Sequence, residues 1–544
     1  MFLQFLFLRF LSVIFVQTYF VPDEYWQSLE VAHRMVFGYG YLTWEWHECI
    51  RSIFFPGLFA VLYKVLAVLR LDYAVLLAIL PRIGCAALMA LSDVTTVKLA
   101  DKLYGKSVRR SVCFCLSSCW FLQYCASRTI SGVPETAATM LALASYPWNK
   151  YHAVGSSVSY LWWVGLGCAL RPTTAVMFVP LFAVQLVRCQ QKLALIFKAV
   201  AVTGVVSGIV CIMDSLYYGQ ATFVPWNFVK FNVLTSLADH YGRHPWHWYL
   251  TTGLPSALGP HTVLLLLAVA SSSRTRSLQH NLLLASSVFT LAVYSMIGHK
   301  EIRLLLPVLP PLLVICGHQL SQMQRSHVSS RYYKFGRWGL LLWLLVPSVV
   351  LVLYFGLAHQ RGALTIMSEL RALLGSATAP LVLFLTPCHA TPLYSHLHIH
   401  VPVRFLTCEP NLNLAPSYVD ESDRFFQHPD TWLAAHLPSR ISHSGDEVRN
   451  ISMEPRYLNS HSQGKDSFCC KKSTLALSYQ FQARDILLRY PTHIVIFDSV
   501  ADALQDFLRC SGYELCAATF HSLFRDKNRG KYIQVYCLKE SLGQ

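Results

Sequence analysis

Long apolar runs separated by short polar connections dominate the first two thirds of the chain. They lie near residues 2–19, 74–92, 111–127, 133–147, 154–170, 172–188, 194–214, 256–272, 281–297, 303–320 and 338–357. Charged residues make up 14% of the chain, whereas soluble proteins carry about 25%. A single soluble core of this length and composition is therefore excluded. The sequence predicts an α-helical polytopic membrane protein with about eleven transmembrane helices.

The basic residues predict the orientation of these helices. The formal net charge is +16, but the lysines and arginines fall in short loops, so no nucleic-acid groove is expected. The basic loops are residues 98–110, 188–198, 274–280 and 325–337. Basic loops mark the cytosolic side of a membrane. They share one side if the apolar stretch at 53–69 lies at the interface and does not span.

The opposite, lumenal side then receives the loops 20–52, 215–255 and 298–303, together with everything after residue 357. We expect residues 1–357 to form the membrane domain and residues 358–544 a lumenal α/β domain. Strand-like segments at 381–386, 493–498 and 532–538 support the second domain. Residues 438–480 are rich in polar residues and predict a disordered insertion. This insertion contains an N-glycosylation sequon at Asn450.

A cluster of ionisable residues interrupts two of the apolar runs, in the order His299, Lys300, Glu301, Ile302, Arg303. Each charged side chain would cost about 2.5–3.5 kcal/mol at the bilayer centre. Cations beside a carboxylate suggest a binding site for an anion, and phosphate is the obvious ligand. The simpler alternative is an interfacial turn with charges that reach toward water.

Adjacent carboxylates follow the first apolar run, at Asp23 and Glu24. Sugar transfer from an activated phosphate donor needs one base to accept a proton from the acceptor hydroxyl. It needs no general acid, because phosphate leaves as a stable anion. Either carboxylate fits the role of base, and either could instead cap the helix that follows. The pair therefore leaves two candidates.

A second lumenal cluster, residues 241–249, combines aromatic and histidine side chains. His244, Trp246, His247 and Tyr249 form a candidate platform for sugar rings and a lipid phosphate, or else an ordinary aromatic belt.

Further polar residues lie at lumenal turns. Arg171 could reach a phosphate, or it could be an arginine at a helix end broken by Pro172. In the first loop, Glu45, His47, Glu48 and Arg51 predict a solvated helix face, with acceptor contact as the weaker alternative. The cysteine and histidine spacing does not match a zinc site, so no metal is expected.

These segments together resemble a known family. They are Val-Pro-Asp-Glu-Tyr-Trp-Gln-Ser-Leu-Glu at 21–30, Gly-Tyr-Leu-Thr-Trp-Glu-Trp at 40–46, His-Pro-Trp-His-Trp-Tyr at 244–249 and His-Lys-Glu-x-Arg at 299–303. The chain resembles the dolichol-phosphate-mannose-dependent mannosyltransferases of glycosyltransferase family twenty-two, which have a GT-C fold. The resemblance covers nearly the whole chain. It is closest to the members that act on the glycosylphosphatidylinositol (GPI) anchor precursor.

The resemblance implies an inverting reaction in the lumen of the endoplasmic reticulum (ER). Dolichyl phosphate mannose would donate the third mannose of the GPI anchor, in α1,2 linkage to the second, without a cofactor. The implied partners are this donor, the mannosylated GPI precursor lipid and the ER membrane, and no protein partner is indicated. A lumenal mannosyltransferase with another acceptor is the nearest alternative. A lipid-linked sugar transporter is a more distant one, since transporters usually contain internal repeats.

The resemblance also implies roles for individual residues. Asp23 is the preferred base and Glu24 its competitor. Glu301 would orient the cations that hold the donor phosphate, which are His299, Lys300 and Arg303. Arg171 stays the further candidate for the same phosphate that its position suggested. The donor or acceptor pocket would be lined by Tyr25, Gln27, His244, Trp246, His247 and Tyr249. At position 304 the family usually has an aromatic residue, and Leu304 stands here, which we expect the site to tolerate.

Overall fold

The computed structural model describes residues 1–148, 157–234, 240–271, 277–326, 331–377, 379–412, 417–437, 490–526 and 528–539. The predicted glycosylation site at Asn450 and the predicted insertion at 438–480 lie outside the described residues.

Helices coincide with the apolar runs. Their bounds are Phe2–Phe15, Ala74–Tyr104, Arg109–Ser118, Trp120–Cys125, Gly132–Ser145, Ser159–Leu170, Thr174–Arg188, Lys192–Tyr218, Leu254–Leu258, His261–Ala270, Leu278–Met296, Leu309–Ser326 and Arg331–Leu357. Shorter helices in the predicted lumenal loops and the interfacial stretch are Glu30–Phe37, Trp44–His47, Phe54–Val68 and Val224–Val229. The predicted span 111–127 is divided at Cys119, where the backbone is extended.

Four helical segments of the described chain are long and apolar enough to cross a membrane. They are Ala74–Tyr104, Lys192–Tyr218, Ile302–Arg325 and Trp338–Leu374. Several shorter apolar helices, such as Phe2–Phe15 and Thr174–Arg188, accompany them. The count of about eleven spans therefore stays a prediction.

A buried ion pair joins the first helix to the helix Ala74–Tyr104. The guanidinium of Arg9 donates to both carboxylate oxygens of Asp93, at 2.7 and 2.9 Å. It also donates to the side chain of Gln123 at 2.9 Å and to the carbonyl of Leu116 at 3.1 Å. Charges placed inside apolar helices are tolerated when they are paired in this way.

The last third of the chain contains a five-stranded sheet with the strand order β2-β1-β3-β5-β4. The strands are β1 (Val382–Leu385), β2 (Val403–Phe405), β3 (His493–Phe497), β4 (Tyr513–Phe520) and β5 (Tyr532–Leu538). Strand β1 is parallel to β2 and β3, whereas β5 is antiparallel to β3 and β4. Both faces of β1 and β3 are buried, which explains their continuous apolar sequences. An α/β region therefore follows the membrane helices, as predicted.

The two faces of the sheet pack against different partners. Alternate residues such as Val382 and Phe384 belong to the same core as the membrane helices. The residues between them, such as Leu383 and Leu385, pack in a separate core with the helices Glu421–Gln427 and Pro429–His436. The sheet therefore shares one of its faces with the membrane part of the molecule.

The segment between β1 and β2 packs against the first loop, residues 20–52, which is predicted to be lumenal. The indole of Trp26 donates to the carbonyl of Thr391 at 3.0 Å. The buried carboxylate of Glu30 accepts from the backbone amides of Leu393 at 2.7 Å and Ser395 at 3.1 Å. A disulfide between Cys388 and Cys408 closes this segment. These contacts place the α/β region directly beside the pair of carboxylates at 23 and 24.

Candidate active site

The structure brings the first loop, residues 20–52, and the polar turn at 299–303 together. The carboxylate of Asp23 forms an ion pair with the guanidinium of Arg303. Asp23 stands at the start of a helical turn that continues as a π-helix over Tyr25–Leu29, a conformation often found at functional sites. Arg303 is the second residue of the short 3-10 helix Ile302–Val308, which leads into the helix Leu309–Ser326. Two sequence motifs predicted to act together therefore meet at one ion pair.

Glu301 stands at the centre of the turn. Its carboxylate accepts from Nη2 of Arg303 at 2.8 Å, and Nε2 of His299 lies 2.8 Å from it. Burial alone would raise the pKa of Glu301, but Arg303 and His299 outweigh it and hold the pKa well below its ordinary value. The hydrogen bond to Glu301 raises the pKa of His299 despite burial. The turn therefore stabilises charged histidine and arginine side chains around one carboxylate.

The ammonium of Lys300 donates to backbone carbonyls. Lys300 is buried, and its ammonium lies 3.0 Å from the carbonyl of His244. The ring of His299 reaches the carbonyl of Gly242 at 3.0 Å. Gly242 has a φ of +109°, a conformation that favours glycine. These contacts hold the segment 241–249 against the turn.

The aromatic cluster divides into buried and exposed members. Tyr249 is buried, and its hydroxyl donates to the carbonyl of Glu301 at 3.2 Å. The ring of His244 stacks on Trp248 with centroids 4.7 Å apart. Trp246 and His247 are exposed. Tyr249 thus supports the turn, while the exposed side chains remain candidates for ligand contact.

Glu24 occupies a different environment from Asp23. Its side chain is 3% exposed, compared with 22% for Asp23. Arg128 donates to it at 2.7 Å and also to the carbonyl of Thr18 at 2.9 Å. Burial raises the pKa of Glu24 even though Arg128 opposes the shift. The geometry favours Asp23 as the base, because Glu24 is enclosed by its partner.

Arg128 itself was not among the residues singled out from the sequence. It follows the apolar run 111–127, and its guanidinium lies 4.1 Å from the centroid of Tyr124. A lone arginine at the end of an apolar run resembles an ordinary snorkelling residue. The signal that could have identified it was its predicted position on the same side of the membrane as the Asp23–Glu24 pair.

Arg171 has a buried acidic partner that the sequence analysis also missed. Its Nε lies 3.7 Å from the carboxylate of Glu135, which also accepts from the hydroxyl of Thr174 at 3.0 Å. Within the described residues, no ion pair joins Arg171 to the turn at 299–303. Its predicted contact with a donor phosphate stays a prediction.

The two pocket residues predicted in the first loop, Tyr25 and Gln27, contact different parts of the molecule. Tyr25 is buried and stacks on Tyr19 with centroids 5.1 Å apart. Gln27 donates to the carboxylate of Glu45 at 2.9 Å, and Arg51 also donates to Glu45, at 2.6 Å. Glu45 and Arg51 are therefore paired and partly enclosed, and they do not form the solvated face expected from the sequence.

A possible cluster of metal ligands lies just after β1 and β2. Ligand atoms of Cys388, His389 and Cys408 lie within 4.8 Å of one another. The two cysteines are joined as a disulfide, and metal binding requires thiolates. The residues as bonded here do not fit a metal site.

Comparison with known proteins places the chain in a family. The model of the Alg9-like mannosyltransferase family matches residues 1–398. The chain belongs to this family. Similar relatives include the GPI alpha-1,2-mannosyltransferase 3 of Danio rerio, 40% identical over 98% of this chain and 89% of the relative. The protein of the same name in Mus musculus is 37% identical over 97% and 87%, respectively. The predicted class of glycosyltransferase is confirmed.

Solved structures agree with the predicted fold class. ArnT from Cupriavidus metallidurans in the apo state matches with a TM-score of 0.55 at 12% identity. The match covers 99% of this chain and 97% of ArnT. A crystal structure of ArnT bound to undecaprenyl phosphate matches with a TM-score of 0.54. The mannosyltransferase family member described here therefore has the multi-pass membrane GT-C fold.

Proposed function

We propose that this protein transfers mannose, in α1,2 linkage, to the two-mannose GPI precursor on the lumenal face of the ER membrane. Dolichyl phosphate mannose is the proposed donor. Relatives named GPI alpha-1,2-mannosyltransferase 3 align with it over nearly its whole length. The observation that carries the proposed mechanism is the ion pair between Asp23 and Arg303. It joins a carboxylate suited to proton transfer with a cation suited to phosphate.

The proposed reaction is a single displacement. The 2-hydroxyl oxygen of the acceptor's terminal mannose forms a bond to C1 of the donor mannose. The bond between C1 and the phosphate oxygen breaks, and dolichyl phosphate leaves as an anion. Asp23 accepts the proton of the hydroxyl. One displacement converts the β-linked donor into an α-linked product, so a single carboxylate suffices, in contrast to glycoside hydrolysis.

Arg303 gives the donor a way to activate the base. Its guanidinium contacts both Asp23 and Glu301, and a planar fork of this kind also matches phosphate oxygens. A donor phosphate competes with Asp23 for the guanidinium and leaves the carboxylate free to accept a proton. Protonated His299 adds a second positive charge beside the leaving phosphate. The structure of ArnT with undecaprenyl phosphate supports the use of this fold for a lipid phosphate.

The cysteines of the α/β region support its lumenal location. Disulfides join Cys388 to Cys408 and Cys516 to Cys537. Stable disulfides are typical of oxidising compartments such as the ER lumen. The charge distribution of the membrane loops favours the same orientation.

Product analysis tests the proposed function. Microsomes from cells that lack this activity would receive the intact protein, labelled dolichyl phosphate mannose and a two-mannose GPI precursor. We expect a three-mannose product whose new residue is released by an α1,2-specific mannosidase. Parallel reactions contain a one-mannose GPI precursor or a lipid-linked oligosaccharide. Product from either of these in place of the two-mannose precursor would assign a different acceptor, and no product from any acceptor would reject the enzyme.

A further inference from the structure

A second polar cluster lies in the first lumenal loop, apart from the cations of the turn. Its centre is Glu45, in the short helix Trp44–His47. Arg51 donates to one carboxylate oxygen from Nε at 3.1 Å and from Nη2 at 2.6 Å. Gln27 donates to the other oxygen at 2.9 Å. We call this group, together with Tyr241, the loop cluster.

The loop cluster adjoins the proposed base. Gln27 lies one turn after Asp23, and the intervening residues form the π-helix Tyr25–Leu29. Burial alone would lower the pKa of Arg51, but Glu45 and then Asp23 raise it above its ordinary value. The guanidinium of Arg51 is therefore within electrostatic reach of Asp23.

Tyr241 connects the loop cluster to the phosphate-binding turn. Its hydroxyl accepts from the indole of Trp44 at 2.8 Å and donates to the carbonyl of Cys408 at 3.4 Å. The next residue, Gly242, accepts from the ring of His299. The consecutive residues Tyr241 and Gly242 thus contact the first loop and the turn at 299–303, respectively. A ligand held by Tyr241 would lie close to one held by the turn.

The exposure of these side chains fits ligand contact. Glu45 is 14% exposed and Arg51 28%, so both are partly enclosed and still reachable. Tyr241 is 43% exposed, which leaves ring surface available for stacking. A loop that needed this pair only as a tether would gain little from it, because partly exposed ion pairs contribute about 0–1 kcal/mol.

The chemistry of the loop cluster matches neutral hydroxyl groups better than phosphate. A carboxylate, an amide and a guanidinium side by side offer acceptors and donors for adjacent hydroxyls. The carboxylate of Glu45 would repel a phosphate, whereas the turn presents His299 and Arg303. A partly exposed aromatic ring suits the apolar face of a sugar ring. The donor phosphate and the acceptor sugar would therefore have separate surroundings in this site, with Asp23 adjoining both.

We infer that Gln27, Glu45, Arg51 and Tyr241 form the subsite that binds the terminal mannose of the acceptor. This inference rests on the proposed function and adds to it the residues that recognise the acceptor. Glu45 and Gln27 bind hydroxyls of the sugar, Arg51 fixes Glu45, and Tyr241 supports the ring. The subsite holds the reactive hydroxyl beside Asp23.

Steady-state kinetics with the full-length protein in microsomes test the subsite, varying donor and two-mannose acceptor separately. Glu45→Gln removes the charge but keeps the shape. Loss of a hydrogen bond to a charged group costs about 1.5–3 kcal/mol, which corresponds to about a 10- to 150-fold change. We expect the acceptor KM to rise by about that factor, while the donor KM stays unchanged. Glu48→Gln, in the same loop, is the matched control, because its side chain takes part in none of these contacts.

Tyr241→Leu provides a second, independent variant, since it removes the ring without touching the Glu45–Arg51 pair. It should also raise the acceptor KM and leave the donor KM unchanged, and its unfolding midpoint shows whether the protein is intact. An unchanged acceptor KM in folded Glu45→Gln and Tyr241→Leu, with an active parent protein, overturns the subsite. If Glu45→Gln does not fold, Tyr241→Leu decides alone. An intact parent protein that makes no three-mannose product instead rejects the proposed function.

Discussion

Asp23 and Glu24 are neighbours in the chain but belong to different regions of the molecule. Asp23 faces the polar turn at 299–303, where it is paired with Arg303 and remains partly exposed. Glu24 points into the interior, where Arg128 and the carbonyl of Thr18 surround it. The burial of a carboxylate, more than its place in a motif, therefore separates a group available for chemistry from one that stabilises the fold.

A third carboxylate extends the comparison. Glu30 is as buried as Glu24, but its partners are backbone amides and the hydroxyl of Ser395, with no arginine. Burial raises its pKa from 4.5 to about 7. The first loop therefore contains three kinds of carboxylate. Asp23 is partly exposed and paired with Arg303, Glu24 is buried and paired with Arg128, and Glu30 is buried and bound by neutral donors.

The largest effect is expected at Asp23. Asp23→Asn keeps the shape but removes the proposed base, and a general base contributes about 10²- to 10⁴-fold to a rate. We expect kcat to fall by about that factor at normal protein level. The measurement is product formation under saturating donor and acceptor. Full activity in this variant would contradict the role assigned to Asp23.

The buried pair should affect the fold instead. Glu24→Leu leaves Arg128 charged and unpaired, which costs about 3–5 kcal/mol. We expect a large loss of folded protein, measured as the unfolding midpoint in detergent. The double variant Glu24→Leu with Arg128→Met removes both charges and should recover most of the protein. If the recovered double variant lacks activity, Glu24 has a catalytic role. The distinction between a catalytic Asp23 and a structural Glu24 would then be wrong.

Arg303→Lys tests the Asp23–Arg303 ion pair by changing the arginine. Lysine keeps the charge but loses the planar fork that contacts Asp23 and Glu301. We expect kcat/KM for the donor to fall about 10- to 150-fold, the cost of a hydrogen bond to a charged group. Arg109→Lys is the control, because Arg109 pairs with Asp101 in an exposed ion pair far along the chain. Equal, small effects of both substitutions would argue against phosphate binding by Arg303.

The smallest effect concerns pH and Glu30. Because the folded protein raises this pKa, it binds the proton more tightly than the unfolded chain, and stability falls as the pH rises from 4.5 to about 7. Glu30→Gln has no such proton to lose. We therefore expect the unfolding midpoint of the parent protein to decrease more over this range than that of the variant. If the unfolding midpoints of the two proteins change with pH in parallel, burial does not raise the pKa of Glu30.

The sequence predicted those parts of the site that lie in compact motifs. Asp23 and the residues of the 299–303 turn were found because ionisable residues are conspicuous beside apolar runs. Arg128 and Glu135 were missed, since each is a single charge beside or within an apolar run. The partner of Arg128 lies 104 residues away, and spacing alone gives no information about such long-range pairs.

Prediction of the fold from the sequence was also limited to segments with a clear local pattern. Strands β1, β3 and β5 were predicted from their apolar character. Strand β2 has three residues, and β4 alternates buried and exposed residues irregularly, so neither gave a clear pattern. The division of the 111–127 run at Cys119 depends on packing and had no Gly or Pro signal in the sequence.

The hydrogen bonds of Trp26 and Glu30 to residues 391–395 predict the effect of a truncating mutation. A premature stop codon after Leu357 would still encode every predicted membrane helix and both motifs of the proposed active site. The encoded protein would nevertheless leave the indole of Trp26 and the carboxylate of Glu30 without their partners. An allele of this kind should therefore behave as a complete loss of function, even though the truncation spares the proposed base and the proposed phosphate-binding turn.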